Sequence, residues 1–385
     1  MHIILSDCDA QLRFAPLTLT RPIAELRTGI YTNKERWEKI APQCKFSYET
    51  ADYLQKLYPI NANDSAVWVN AAVIITENLY TEIEKLALDH ALFSGDHFIA
   101  YKGPKRKQRY PKNIIQSKEE AIVLSERWHL FQKNEAILEK DFELATKGKK
   151  SAELSTTNQL IGSKNKLFIA PNAKVEGAIL NTNDGPIYIG EGAEIMEGSV
   201  VRGGLALCEH ATLKLCSKIY GATTIGPYCK VGGEVNNSIF QAYSNKGHDG
   251  FLGNSLIGEW CNLGADTNTS NLKSNYGKVK TYSYITKKLE QTDEMFMGLV
   301  MGDHSKTSIN TMLNTATVVG VSAMIFGNGF PPKYIPSFSW GGFDNERFNF
   351  GKAIVMANSM MVRRGKEINE DELQMLKYLY NTFGN

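Results

Sequence analysis

The side chains best suited to chemistry lie in a polar stretch, residues 241–250, between neighbours rich in aliphatic residues. Histidine titrates near neutral pH, so His248 could act as a general base that takes the proton from an attacking amine. The glycines around it leave backbone N–H groups open to stabilise the oxyanion of an acyl transfer. A single surface histidine in a polar loop can also be without a role. His304, in a second polar stretch, is the competing base.

A second candidate site follows the short apolar run at residues 2–5, which is typical of a buried strand. Asp7 begins the loop after this run, and Arg13, Arg21 and Arg27 come next. Guanidinium groups form paired hydrogen bonds with phosphate oxygens, so this loop could hold a phosphorylated ligand. The alternative is a surface loop that contains three arginines.

The middle of the chain has a six-residue period that matches neither a helix nor a plain strand. The repeated aliphatic positions are Ile189, Ile195, Val201, Leu207, Leu213, Ile219, Ile225 and Val231. Such a period is typical of a hexapeptide parallel β-helix, in which three strands form each coil and the aliphatic side chains stack inside. The repeat therefore predicts a β-helix here, with a β-sandwich of short strands as the alternative.

Composition excludes several classes of partner. The 385 residues carry a formal net charge of +2, with 43% hydrophobic and 22% charged residues. These values predict globular domains without a nucleic-acid or membrane partner. Six cysteines without a CxxC pair, no apolar run near ~18 residues and no signal peptide predict a cytoplasmic protein.

The chain divides by pattern into four parts. Residues 1–145 alternate short apolar runs with amphipathic segments, which predicts an α/β domain, including a helix near Asn33–Ile40. Residues 146–166 are polar and predict a linker. Residues 167–366 are assigned to the β-helix, and residues 367–385 to an amphipathic helix that caps its open end.

The polar stretch also carries a family resemblance. Residues 246–267 (KGHDGFLGNSLIGEWCNLGADT) resemble the acetyltransferase half of the bifunctional N-acetylglucosamine-1-phosphate uridyltransferase and glucosamine-1-phosphate acetyltransferase family. Residues 271–280 (NLKSNYGKVK) resemble a substrate loop of that family. The resemblance implies that His248 is the general base. The substrate-binding residues that it implies are Lys246, Asn262, Asn271, Lys278 and Lys280.

The N-terminal part resembles a divergent sugar-phosphate nucleotidyltransferase through residues 13–22 (RFAPLTLTRP) and 127–134 (RWHLFQKN). This resemblance implies that Arg13, Arg21 and Asp7 bind nucleotide and that Asp96 is a ligand of Mg²⁺. Residues 7–10 stand where the family has its phosphate-binding glycines. A site without those backbone amides is expected to bind a triphosphate weakly.

Together the resemblances imply an α/β nucleotidyltransferase-like domain followed by a left-handed parallel β-helix with a C-terminal helix. The implied function is acetyl-CoA-dependent N-acetylation of an amino-sugar phosphate such as glucosamine 1-phosphate. This activity would be coupled to nucleotidyl transfer from a nucleoside triphosphate with Mg²⁺, in a homotrimer. One alternative is a nucleotidyltransferase whose β-helix serves only assembly and regulation. The other is a non-enzymatic trimeric scaffold.

Overall fold

A computed structural model describes residues 1–63, 65–104, 113–342 and 346–384. The chain forms two compact units: an N-terminal unit of residues 1–26 and 31–127, and a C-terminal unit of residues 27–30 and 128 onward. The predicted fold class is confirmed, because an α/β sheet domain is followed by a parallel β-solenoid and a C-terminal helix.

The N-terminal unit is built on a mixed sheet, six-stranded within the described residues. In spatial order its strands are Lys45–Glu49, His2–Ser6, Val67–Asn70, His97–Lys102, His90–Ser94 and Asn113–Gln116. The first three are mutually parallel, and His97–Lys102 runs antiparallel to both of its neighbours. The carboxyl ends of His2–Ser6, Lys45–Glu49 and Val67–Asn70 therefore share one edge of the sheet.

Two α-helices of the N-terminal unit, α1 (Asn33–Ile40) and α2 (Glu77–Glu84), begin at threonine caps. Before α1, the Thr32 hydroxyl accepts from the Glu35 backbone N–H, and the Glu35 carboxylate accepts from the Thr32 backbone N–H. This reciprocal pair satisfies amides that a helix start would otherwise leave open. The helix bounds predicted from the sequence coincide with α1. Single 3₁₀ turns lie at Gln11–Arg13, Leu17–Leu19, Ile23–Glu25 and Asp52–Leu54.

The C-terminal unit opens with helices α3 (His129–Gln132) and α4 (Asn134–Thr146). The Asn134 side chain joins three segments: its Oδ1 accepts from the Gly29 backbone N–H at 2.6 Å, and its Nδ2 donates to the Ala222 carbonyl at 2.8 Å. Gln241 extends this attachment, because its amide accepts from the Arg27 N–H and donates to the Arg27 carbonyl. Residues 27–30 are thereby fixed to the solenoid by side-chain hydrogen bonds.

The solenoid has three parallel faces, defined here by their strands within the described residues. Face A contains Leu167–Ile169, Ile187–Ile189, Leu205–Leu207, Thr223–Ile225, Ile239–Phe240, Leu256–Ile257, Val300–Met301, Val318–Val319 and Tyr334–Ile335. Face B contains Lys174–Val175, Glu194–Ile195, Thr212–Leu213, Lys230–Val231, Asn245–Lys246, a bridge at Asn262, Lys306–Thr307, Met324–Ile325 and Trp340–Gly341. Face C contains Gln159–Ile161, Ile179–Asn181, Val200–Arg202, Lys218–Tyr220, Glu234–Asn236 and Phe251–Gly253, followed by the pair Asn268–Thr269 and Met312–Leu313.

The repeated aliphatic residues fill the interior, as the six-residue period predicts. All eight positions from Ile189 to Val231 are at most 2% exposed and belong to one continuous core. Burial of each such side chain contributes roughly 1.5–3 kcal/mol, and the stack is shared between coils. The solenoid therefore owes its stability to cooperation between neighbouring coils.

Parallel pairing starts earlier in the chain than the sequence pattern indicates. Gln159–Ile161 pairs in register with Ile179–Asn181, although it lies in the segment 146–166 that was predicted to be a linker. The polar composition of this segment fits a terminal coil, since its outer surface faces solvent.

Residues 241–250 do not leave the solenoid, contrary to the expectation that they form a loop. Thr212 pairs with Lys230, eighteen residues on, whereas Lys230 pairs with Asn245, fifteen residues on. A shorter coil interrupts the six-residue period of the sequence, although its strands remain paired with their neighbours. The long excursion lies at residues 270–297 instead, and it contains the antiparallel hairpin Lys280–Ser283 and Lys288–Gln291.

The chain ends with α5 (Phe350–Val362) and α6 (Glu370–Phe383). The sequence analysis predicted α6 and missed α5, whose glycine, valines and asparagine weaken a helical pattern. None of the helices in the described ranges is both long and apolar enough to cross a membrane.

Candidate functional site

His248 lies at the corner of the solenoid between faces B and C. The strands Asn245–Lys246 and Phe251–Gly253 flank it, and each pairs in parallel with the preceding coil. Two strands fixed in register leave only residues 247–250 to form the turn. The His248 side chain is exposed on this turn, where a ligand in solvent can reach it.

The Lys246 side chain is inside the solenoid and does not reach the surface. It is 1% exposed and stands in register with Val231, at a position that is aliphatic in preceding coils. Its Nζ donates to the Gly232 carbonyl at 3.0 Å and to the His248 carbonyl at 2.9 Å. Burial lowers the pKa of Lys246 to about 8, while Asp249 and Asp266 oppose this shift. The buried ammonium thus fixes the backbone on which His248 stands.

Asn262 lies one coil further on, in face B. It bridges in parallel to Asn245 on one side and to Lys306 on the other, and it is half-buried. The Asp266 N–H donates to the Asp249 carbonyl at 3.0 Å, so the turns that follow Asn245 and Asn262 stack directly. The structure therefore brings His248 and Asn262 onto consecutive coils near the same corner.

Asn271 begins the excursion 270–297 and is tied to the coil of His248. Its Nδ2 donates to the Asn254 Oδ1 at 2.7 Å. The side chain of Asn268, just before the excursion, accepts from the Phe251 N–H at 2.7 Å. The base of the excursion is thus anchored to the strand that follows His248.

Lys278 and Lys280 lie further out on the excursion. Lys278 is exposed and forms an ion pair with the exposed Asp293. Lys280 is exposed opposite Gln291 in the hairpin. Surface ion pairs of this kind are weak, so Lys278 can exchange Asp293 for another anion.

The competing base, His304, lies at a different corner, between faces A and B. Its ring lies parallel to that of Trp260, with centroids 6.4 Å apart and an interplanar angle of 8°. It is the last ring of a stack formed by His210, Tyr228, Tyr243, Trp260 and His304. His304 therefore serves packing, and its half-buried ring is less accessible than that of His248.

This stack, which we call the aromatic ladder, was not predicted from the sequence. Its five residues all have positive φ, between 53° and 61°, and occupy equivalent turn positions in successive coils. Gly192 precedes them in the same corner, and a Cβ on Gly192 would lie 2.5 Å from the His210 Nδ1. The usable signal was the recurrence of an aromatic residue about once per coil.

In the N-terminal unit, Asp7 follows the strand His2–Ser6 and is buried. Its carboxylate accepts from the Ile23 N–H at 2.8 Å and from the Thr50 hydroxyl at 2.6 Å. Burial raises the pKa of Asp7 to about 7, partly offset by these two hydrogen bonds. Asp7 thus holds the loop of residues 7–25 against the carboxyl edge of the parallel strands.

The remaining nucleotide-binding candidates lie in different environments. Arg13 is half-exposed and pairs with Glu126 at 2.5 Å, whereas Arg21 is only 7% exposed. Asp96 is exposed in the tight turn between the antiparallel strands His90–Ser94 and His97–Lys102. Across the described ranges, no three His, Cys, Asp or Glu side chains cluster as metal ligands. Asp96 therefore belongs to no such cluster within the part of the chain that the structure describes.

Comparisons with known proteins gave one family match and weak likenesses to solved structures. Residues 3–150 match the family model described as sugar nucleotidyl transferase, so this part of the chain is similar to that family. Among solved structures, the polySia specific acetyltransferase NeuO is 11% identical, over 47% of this chain and 76% of that chain, with a TM-score of 0.21. The polysialic acid O-acetyltransferase OatWY is 8% identical, over 46% and 77%, also with a TM-score of 0.21. Likenesses this weak support no conclusion about activity, and the curated proteins gave no match.

Proposed function

We propose that the C-terminal unit transfers an acetyl group from acetyl-CoA to the amine of an amino-sugar phosphate, such as glucosamine 1-phosphate. The observation that carries the proposal is the exposed His248 on a turn that Lys246 fixes from inside the solenoid. A general base must be accessible and held in place, and this turn meets both requirements.

In this mechanism the amine nitrogen attacks the thioester carbonyl carbon while the His248 ring takes the amine proton. Backbone N–H groups of the turn 247–250 stabilise the oxyanion, and the tetrahedral intermediate collapses with departure of the CoA thiolate. Asn262 and Asn271 would bind the sugar. In support, Asn262 lies on the coil that follows His248, and Asn271 hydrogen-bonds to Asn254. Lys278 and Lys280 would attract its phosphate from the excursion.

For the N-terminal unit, we propose binding of a nucleoside triphosphate at the carboxyl edge of its parallel strands. The match of residues 3–150 to sugar nucleotidyl transferases supports this assignment, as does the edge itself, where ligands commonly bind in α/β sheets. Arg13 would contact phosphate, while Arg21 and Asp7 would hold the loop. Mg²⁺ would enter with the triphosphate. Because Asp96 lies in no cluster of three metal-ligating side chains within the described residues, no step is assigned to a metal.

The proposal includes a homotrimer in the cytoplasm. Each coil presents flat faces, and a base at a corner can be completed by groups of a neighbouring chain in a closed threefold ring. The family match also favours one alternative, a nucleotidyltransferase whose solenoid serves only assembly and regulation.

One assay separates these functions. Purified protein is incubated with glucosamine 1-phosphate, acetyl-CoA, UTP and dTTP, and free thiol and pyrophosphate are measured separately. Thiol release that depends on the amino sugar supports acetyl transfer. Pyrophosphate without thiol release supports the alternative, and the absence of both supports a non-enzymatic scaffold.

A further inference from the structure

A cluster of positive charge lies on the C-terminal unit, along face B and on the turn that follows α5. We call it the cationic patch, and it consists of Lys214, Lys230, Arg363, Arg364 and Lys366. Lys230 begins one strand of face B, and Lys214 lies just after the preceding strand of that face, where its N–H donates to the Val231 carbonyl at 2.8 Å. The other three residues follow α5 directly.

Hydrogen bonds hold both halves of the patch in place. The Lys230 N–H donates to the Ser244 carbonyl at 3.0 Å, next to Tyr243. The Lys366 Nζ lies 5.2 Å from the centre of the Tyr243 ring, which brings the turn after α5 to this coil. Within that turn, the Arg364 and Lys366 N–H groups both donate to the Met361 carbonyl. The charges are therefore carried by ordered backbone.

Positive charges outnumber negative charges around Lys230. Burial lowers the pKa of Lys230, and the positive charges of Arg364, Lys214 and Arg363 lower it further, with Glu194 as the opposing charge. Across the described residues, no ion pair involves a member of the patch. Lys230, Arg363 and Lys366 are exposed. Like charges gathered at this density repel one another, and a bound anion would relieve the repulsion.

The surroundings of the patch indicate what kind of anion fits. Tyr243 stacks between Tyr228 at 5.1 Å and Trp260 at 4.2 Å, with interplanar angles of 6°. Both faces of the Tyr243 ring are thus covered, and a nucleobase cannot stack there. Recognition at this place must depend on charge. Adjacent guanidinium groups are suited to paired contacts with phosphate oxygens.

We propose that the cationic patch is a binding site for a small polyphosphate, a ligand with two or more linked phosphoryl groups. Inorganic pyrophosphate, a nucleoside triphosphate and coenzyme A all carry this chemistry. The proposal does not depend on acetyl transfer at His248, because none of its residues is assigned to that reaction.

The test is calorimetric titration of the full chain with inorganic pyrophosphate at low salt. The double variant Arg363→Gln/Arg364→Gln should bind pyrophosphate at least about tenfold more weakly, since a hydrogen bond to a charged group contributes ~1.5–3 kcal/mol. The matched control is Lys287→Gln/Lys288→Gln, which removes two adjacent exposed cations from the hairpin tip. The control should bind like the wild type.

Competition identifies the source of the phosphates. Displacement of pyrophosphate by coenzyme A alone, or by UTP alone, assigns the site to that ligand's phosphates. The proposal is overturned if the wild type does not bind pyrophosphate, if the arginine variant binds it unchanged, or if the control loses as much affinity. Circular dichroism and the melting temperature establish that each variant folds, and Lys230→Gln provides a second test if the double variant does not.

Discussion

Two neighbouring side chains of one turn differ sharply in exposure: Lys246 is buried and His248 is open to solvent. The difference follows from strand alternation, because Lys246 points inward at the end of face B and His248 lies in the turn beyond it. The lysine fixes the backbone of the turn, and the histidine is accessible to a ligand.

Replacing His248 with alanine should lower kcat for acetyl transfer by roughly 10²–10⁴-fold, the usual contribution of a general base. Folding should be unaffected, since the side chain is exposed. The measurement is thiol release by the variant, with His97→Ala, another exposed histidine, as the control. Undiminished thiol release by His248→Ala would contradict the assignment of His248 as the general base. An equal loss of kcat in His304→Ala would leave both histidines as candidates.

Lys246 should make stability depend on pH in the alkaline range. Its folded pKa of about 8 lies below the ordinary value of about 10.4, so between these pH values the unfolded chain binds a proton that the folded chain has released. The free energy of unfolding should therefore rise with pH across this window. Denaturant unfolding of wild type and Lys246→Met at several pH values measures the difference. Identical pH slopes would show that the lysine is not buried.

At the scale of elements, the aromatic ladder stabilises one corner of the solenoid through ring stacking. Because aromatic pairs contribute beyond their buried area, the most buried ring of the ladder, Trp260, should matter most. Trp260 is 5% exposed, and Trp260→Ala should reduce the free energy of unfolding by about 3–5 kcal/mol. The exposed Tyr276 provides the control, and Tyr276→Ala should change it by less than about 0.5 kcal/mol. Chemical denaturation measures both, and equal effects would argue against the ladder.

Elements with a regular hydrophobic period could be predicted from the sequence. Elements that depend on contacts between coils could not. The positions from Ile189 to Val231 follow their own spacing and are buried as expected. The aromatic ladder was not predicted from the sequence, because its residues recur at intervals that vary with coil length. Residues 241–250 were predicted to be a loop because polar Lys246 occupies an interior position that is usually aliphatic.

At the scale of the whole molecule, the match of residues 3–150 and the degenerate loop at residues 7–10 predict weak nucleotide binding. Arg13→Ala should weaken UTP binding several-fold, because Arg13 is the half-exposed arginine of the loop. Glu126→Gln should not weaken it, since this variant releases Arg13 from its ion pair. Calorimetry measures both, and tight binding that survives Arg13→Ala would contradict the prediction.

The proposed trimer makes activity depend on concentration. Light scattering at micromolar concentration should give about three times the 43.0 kDa chain mass. Specific activity should fall on dilution below the dissociation constant, because a shared site is lost when chains separate. A fully active monomer would contradict both the trimer and a site completed by a neighbouring chain.

The sequence by itself determined the architecture, because a hydrophobic period is a local property that each repeat carries. It also indicated candidate side chains for chemistry, and the role of His248 stays a prediction. Tertiary structure alone decided the environment of each candidate. Strand register buried Lys246, stacked His304 into the ladder and left Asp96 exposed in a turn. Turn geometry and the stacking of coils gather residues distant in sequence, and no spacing within the chain encodes those contacts.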